Sequence, residues 1–336
     1  MDWSVDEDLQ RRMALTLLAL AALSVAFGAG VAALVAWGVG WLDGFLGLAL
    51  PIGTRFVLGA VATLVAGGIV LRRALERDAA ETFDAAAVGP AAYPDLFATV
   101  TRAAQAADLT VPSVHIAERE RPLAMTTGLS TDDAKLVVST GLLDALDADE
   151  LEAVVAHELA HVKNRDATVM TLAELPLASA RNLGRALQHS GGAYIALLGV
   201  ALASYAFWGI GRLLVASLSR SRELAADRGA TALCGGPAPL ASALDTLADD
   251  ATSAPDRDAR EAALASLSIV PNDRDGPGPK LVYEGRRPLL WGLRLPVRRV
   301  RYRLNERYVH PALSTHPATD ERIDRLRDVE RERAPR

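Results

Sequence analysis

His157, Glu158 and His161 stand in an H-E-x-x-H arrangement, His157-Glu158-Leu159-Ala160-His161. On an α-helix, residues four apart share a face, so both imidazoles can point at a single ion. Glu158 projects from the rim of that face, within reach of a water held at the ion. A Zn²⁺ ion lowers the pKa of such a water and polarises a carbonyl, and Glu158 can take the proton. The chemistry this spacing suits is hydrolysis by a water nucleophile, with one Zn²⁺ per chain and no covalent intermediate.

A catalytic zinc needs a third protein ligand and an open fourth position. The candidates after His161 are Glu174, His189, Glu223, His310 and His316. Glu223 lies in Ser219-Arg220-Ser221-Arg222-Glu223-Leu224-Ala225-Ala226-Asp227, and Glu223 and Asp227 share a helix face. One of the two can bind the ion while the other holds the second nitrogen of a ligand histidine. His316, in Thr315-His316-Pro317, has two readings: a catalytic donor to a developing oxyanion, or a capping residue in a turn before the last helix. Asn164, Arg222 and Arg322 are further candidates to orient the site.

The elements that must carry these residues are legible around them. Asp149 can cap a helix that presents Leu151, Val154, Val155, Leu159 and Val162 at helical spacing. Tyr93 to Ala107 has the same period, and Ser113–Ala117 and Lys135–Thr140 read as short strands. By resemblance to zincin-like folds, Ala124 to Gly128 is expected to be an exposed edge strand beside the histidine helix, with Leu136–Ser139 as its covered neighbour. An edge can bind an unrelated polypeptide by pairing with its backbone, which makes Ala124, Met125, Thr126 and Thr127 the candidate substrate-binding residues. A proline at Thr126, or at Thr127 in the alternative register, is expected to impair cleavage and spare zinc content and stability.

Half of the 336 residues are apolar and only 5% are aromatic, a mixture that suits helices packing in lipid. Met13 to Leu42 carries no charge and exceeds the ~20 residues a helix needs to span. It is too long for a signal peptide, and a second apolar run follows, Phe45 to Leu71, in which Arg55 is expected to snorkel to the interface. Arg11, Arg12, Arg72, Arg73 and Arg77 flank this pair, which places the N-terminus and the residues after Leu71 in the cytoplasm. Ser190–Gly211 reads as a further span, and Ala167–Ala180 either spans or lies buried. The expected organisation is a membrane anchor (1–77), a first protease segment with the zinc helix (82–166), an apolar hairpin (167–218) and a second segment (219–336). The fold class is thus an α-helical membrane protein with a cytoplasmic, zincin-like α+β domain, predominantly helical. The basic stretch Arg286–Arg303 reads as a solvated or juxtamembrane surface. A net charge of −5 gives no footprint for nucleic acid, and the lone Cys234 allows no intrachain disulfide.

In this order, the motifs resemble those of HtpX-like membrane metalloproteases, within the broader gluzincin class. Two apolar runs precede Val138-Ser139-Thr140-Gly141-Leu142-Leu143. The histidine helix and an apolar hairpin follow, then the S-R-x-x-E-x-x-A-D pattern of Ser219–Asp227, then Thr315-His316-Pro317 with Glu321-Arg322-Ile323. The resemblance implies zinc held by His157, His161 and Glu223, with Glu158 as base. It also implies cleavage of membrane-protein or unfolded polypeptide substrates at the lipid bilayer, in protein quality control at the cell membrane. Pro122-Leu123-Ala124-Met125-Thr126-Thr127-Gly128 departs from the P-N-A-F-A-like strand usual in that family, a difference that bears on substrate preference. Two other readings remain at this level: a CaaX-type prenyl-protein endopeptidase, and a catalytically silent membrane scaffold.

Overall fold

The computed structural model describes residues 7–47, 49–75, 84–189, 195–253 and 317–333. The expectations for His316, His310 and the basic stretch Arg286–Arg303 lie outside the described residues.

The two N-terminal apolar runs form a helical hairpin, α1 (Glu7–Leu46) and α2 (Ile52–Leu75). Their backbones approach closely where Gly59 meets Ala32: a Cβ on Gly59 would lie 2.3 Å from the Ala32 carbonyl oxygen. Small residues permit such crossings between helices that have no hydrophobic drive to associate in lipid. Arg55 reaches from the first turn of α2 toward the loop between the two helices. It turns in to the buried Asp43 at 2.7 Å and donates to the Leu50 carbonyl, while Asp43 accepts from the Leu50 amide. The turn between the helices is therefore closed by its own ion pair.

A four-stranded sheet follows, β1 (Ala86–Ala87), β2 (Ser113–Ala117), β3 (Ala124–Thr127) and β4 (Lys135–Ser139), in the order β1-β2-β4-β3. The helix α3 (Pro94–Ala106) leads into it. Strand β2 runs parallel to β4, and β3 runs antiparallel to it in the register Ala124↔Val138 to Thr127↔Lys135. Thus β3 is an edge and β4 is its covered neighbour, as the sequence suggested. A short helix α4 (Thr140–Ala145) begins at Ser139, whose hydroxyl accepts from the amides of Leu142 and Leu123. Gly141 is obligatory there, because a Cβ would meet the Glu120 carbonyl oxygen at 1.9 Å.

The histidine helix is α5 (Ala148–Lys163). Its cap is Asp147, not Asp149: the Asp147 carboxylate accepts from the amides of Asp149 and Glu150, and Glu150 returns a bond to the Asp147 amide. Such a reciprocal box satisfies two otherwise orphaned donors, which Asp149 could not do. Glu150 also accepts from Ser242 and Thr246 of α8 (Ala238–Ser253), so the same residue ties the helix start to a neighbour.

After Arg165 the chain turns into α6 (Asp166–His189), then α7 (Ile195–Leu233), which pack against each other. Ala167–Ala180, left open by the sequence, lies within α6, a helix that carries Pro176 and is long enough to span but not apolar enough. Of the span read at Ser190–Gly211, residues 195–211 lie in α7 and residues 190–194 lie outside the described residues; α7 continues unbroken past Leu218 to Leu233. Among the described residues, three helical stretches are long and apolar enough to cross a membrane, Leu9–Leu46, Ile52–Ile69 and Val200–Leu233.

Two cores flank the histidine helix. One joins Leu136, Val138, Val155 and Leu159 to the α3 residues Leu96 and Val100. The other joins Ala153 and Ala156 to Ala230, Leu244, and Ile323 and Leu326 of α9 (Thr319–Arg333). A third cluster, Leu20, Met170, Leu177, Phe207 and Leu218, binds α1 to the α6–α7 pair. Helix α5 is thereby fixed on both sides, which is what a site on its surface needs.

Candidate metal centre

His157 and His161 lie one turn apart on α5, both buried, with their Nε2 atoms 3.1 Å from each other. Glu223, from the far part of α7, brings Oε2 to 3.6 Å of His157 Nε2 and Oε1 to 3.7 Å of His161 Nε2. The three residues offer ligand atoms within 4.8 Å of one another, close enough to share one ion. The structure thus gathers the two histidines and one of the five third-ligand candidates. Glu174 is held elsewhere, paired with Arg212 at 3.1 Å.

Each imidazole is backed by a carboxylate on its other nitrogen. Asp227 Oδ1 lies 3.1 Å from His157 Nδ1, and Asp166 Oδ2 lies 2.5 Å from His161 Nδ1. The Asp227 contact is off-line for an ideal hydrogen bond, but it fixes the same ring face. Each carboxylate is held in turn by a buried arginine. Arg322 of α9 grips Asp227 with two bonds, 2.9 and 2.5 Å, and approaches Glu223 at 3.7 Å. Arg222, next to Glu223 in the chain, pairs with Asp166. Asp166 was not singled out in the sequence; an acid five residues after the second histidine was the available signal. Asn164 is exposed at the end of α5 and does not orient the site.

These residues fit a divalent cation on their own chemistry. With protons on both Nδ1 atoms, facing carboxylates, two neutral rings would oppose their Nε2 lone pairs at 3.1 Å, a repulsive contact that a metal cation, or in its absence a proton, resolves. The charge count agrees. Glu158, Glu223, Asp166 and Asp227 are four buried carboxylates against two buried guanidiniums, Arg222 and Arg322, leaving two negative charges to balance. Burial by itself would lower the His157 pKa, but Asp227 and Glu223 outweigh it and push it up to about 9. The pocket therefore demands positive charge.

Glu158 is fully buried, and burial raises its carboxyl pKa, an effect the neighbouring His161 and His157 oppose. Its Oε2 accepts from the Thr126 hydroxyl at 3.2 Å, and its Oε1 has no hydrogen-bond partner among the described residues. A carboxylate with one anchored and one unengaged oxygen, beside two imidazoles, is placed to exchange a proton with a bound water.

Strand β3 runs beside this helix. The Leu123 carbonyl accepts from Ser139, so by the alternation of antiparallel ladders Met125 and Thr127 face β4. The backbone groups of Ala124 and Thr126 then face the open edge. Their side chains nevertheless lie buried, and Thr126 contacts Glu158. This corrects the expectation for Thr126→Pro, which would remove an outward donor and also a bond to Glu158.

A helix-borne H-E-x-x-H with a distant glutamate, set on a sheet edge and next to apolar helices, defines the class of a membrane metalloprotease. The sequence comparisons with known proteins agree. Peptidase family M48 matches residues 90–330. A protease HtpX homolog of Moorella thermoacetica is 33% identical over 337 residues, covering 97% of this chain and 96% of that protein. Protease HtpX homolog 1 of Streptomyces coelicolor is 35% identical over 285 residues, covering 81% and 86%. Among solved structures, Ste24p of S. mikatae aligns with a TM-score of 0.41 at 16% identity, covering 87% of this chain and 63% of that one. The chain belongs to peptidase family M48.

Proposed function

We propose that the chain is a zinc-dependent endopeptidase acting on membrane-protein or unfolded polypeptide substrates, with His157, His161 and Glu223 as the metal ligands and Glu158 as the base. The observation that carries this reading is the convergence of the three donors on one point, beside a buried carboxylate with a free oxygen. Zinc bound there supplies Lewis acidity for the scissile carbonyl and for the attacking water. Glu158 accepts the proton of that water and passes it to the departing amine. Thr126 holds Glu158 in position through Oε2, leaving Oε1 toward the reaction. Asp227 and Asp166 keep the Nδ1 protons in place and the rings aimed, and Arg322 and Arg222 hold the aspartates. Substrate pairs with the open backbone groups of Ala124 and Thr126, with Met125 and Thr127 completing the strand. His316 remains the proposed donor to the oxyanion.

Residues 1–77 act as the anchor, 82–166 and 219–336 as the protease segments, and 167–218 as the hairpin between them. The protease segments face the cytoplasm, as the arginines flanking α1 and α2 favour. Labelling of single cysteines in a Cys234→Ser background tests this: one near Asp132 reacts only from the cytoplasmic side and one near Gly44 only from outside. Quality control of membrane proteins is the matching physiological role. The chemical test is full-length protein in detergent, stripped by chelator and reloaded. Cleavage of an unfolded substrate should vanish with zinc and return with one equivalent. Cleavage that persists without metal refutes the zinc reading.

A further inference from the structure

Next to the metal centre, the end of β3 and the bend between α5 and α6 border a shallow, open cleft of about 10 Å³, room for no more than one water, so a substrate side chain lies across its mouth. Thr126, Gly128, Ala134, His161, Val162 and Arg165 are among its walls. Because His161 forms one wall, a side chain lying over the mouth of the cleft belongs to a residue near the scissile bond. The open edge of β3 leads to the same place, since Thr126 belongs both to that edge and to the cleft.

Most of the lining is small or apolar, and its two charged members differ in state. Asp166 is buried and already engaged by His161 and Arg222. Arg165 is exposed, and among the described residues its guanidinium has neither an ion pair nor a hydrogen bond. The nearby Asp133 carboxylate is tied to the amide and hydroxyl of Ser130. The uncommitted charge at the cleft is therefore positive, in a chain whose net charge is −5.

The backbone adds a second observation. Arg165 has φ 54°, a left-handed conformation that glycine or asparagine adopts far more readily. Its amide donates to the Val162 carbonyl and its carbonyl accepts from Val169, so this conformation is locked between two helices. The bend thus places an arginine with no side-chain partner among the described residues at the edge of the cleft. Strained residues persist where the surrounding structure over-determines them, often at ligand clamps.

We infer that Arg165 is a specificity-determining residue that favours substrates with an acidic side chain at the mouth of this cleft. The inference rests on the protease reading above and specifies the substrate chemistry of the same site. A guanidinium matches a carboxylate bidentately, and every second side chain of a strand paired to β3 points to the cleft side.

The test uses zinc-loaded, full-length protein in detergent and quenched-fluorescent peptides blocked at both ends. One Glu, Gln or Lys is stepped along an otherwise constant sequence. At one position wild type should prefer Glu over Lys in kcat/KM by about fivefold, the size of a solvent-screened charge contact. Arg165→Glu should reverse that preference at the same position, and Arg165→Lys should retain it. Peptides cleaved with equal efficiency whatever the charge, or a preference unaltered in Arg165→Glu, overturn the inference and leave the protease reading standing. No cleavage of any peptide by zinc-loaded wild type would instead undo the protease reading itself.

Discussion

The two sides of the metal centre solve one problem by different means. His161 is backed by Asp166, five residues along the same stretch of chain, and Asp166 is held by Arg222. His157 is backed by Asp227 from another helix, and Asp227 is gripped by Arg322, 95 residues further on in α9. One side is assembled mostly from a local bend. The other exists only once three distant segments have docked. Glu223 lies between them and touches both. The first side can form with the α5–α6 turn, whereas the second couples metal binding to the packing of the C-terminal helix, so ligand affinity and folding are linked there.

Removing the vertex that both sides share should have the largest effect. Glu223→Ala is expected to lower zinc affinity by well over the 10–100-fold of an outer-contact change, read by metal analysis after dialysis against a competing chelator. Next comes the non-local side. Arg322→Ala strands the buried Asp227 and should cost about 3–5 kcal/mol of stability, seen as a lower melting temperature in the zinc-loaded protein. Wild-type stability in that variant would mean that α9 docks without the clamp.

A smaller effect separates the two aspartates. Asp227→Asn and Asp166→Asn should each weaken zinc binding about 10–100-fold, yet hydrogen exchange in α9 should quicken only in Asp227→Asn. Equal protection in both would erase the distinction between a local and a distributed side. The smallest effect is on the base. Burial raises the Glu158 pKa, and the Thr126 bond pulls it down. Activity needs the carboxylate, so it fails as pH falls through that pKa, above the usual carboxylate range. Thr126→Val removes the lowering bond, so the acid limb of kcat/KM should move to higher pH by a fraction of a unit; an unmoved or lowered limb would contradict the assignment.

The local side of the site was partly legible in the sequence and partly not. His157, Glu158 and His161 follow from helical spacing alone, and Glu223 with Asp227 from the same rule on a second helix. Asp166 escaped because five residues is not a helical repeat. The contact exists only because the chain turns at Arg165, whose left-handed backbone no composition rule announces. Strands β2 and β4 were legible, β4 in its β-branched run, and the β3 edge followed from the resemblance to zincin-like folds, whereas the two-residue β1 carries no such pattern. The cap moved by two residues because the Asp147–Glu150 box competes with Asp149 for the same helix start. The break read at Leu218 reflects a change in polarity, from apolar residues to Ser219-Arg220-Ser221-Arg222. Helical hydrogen bonding is indifferent to that change, so α7 runs on through it. This continuity carries Glu223 on the same helix as a candidate membrane span.

The division of labour between holding the ion and moving the proton is tested most directly by Glu158→Gln. Zinc content and proteolysis should be measured on one preparation of the full-length protein. The expected result is about one zinc per chain, with cleavage reduced at least a hundredfold, the scale of general-base catalysis. Loss of zinc together with activity, or retention of both, would contradict the assignment of Glu158 as the base beside a His157–His161–Glu223 metal site.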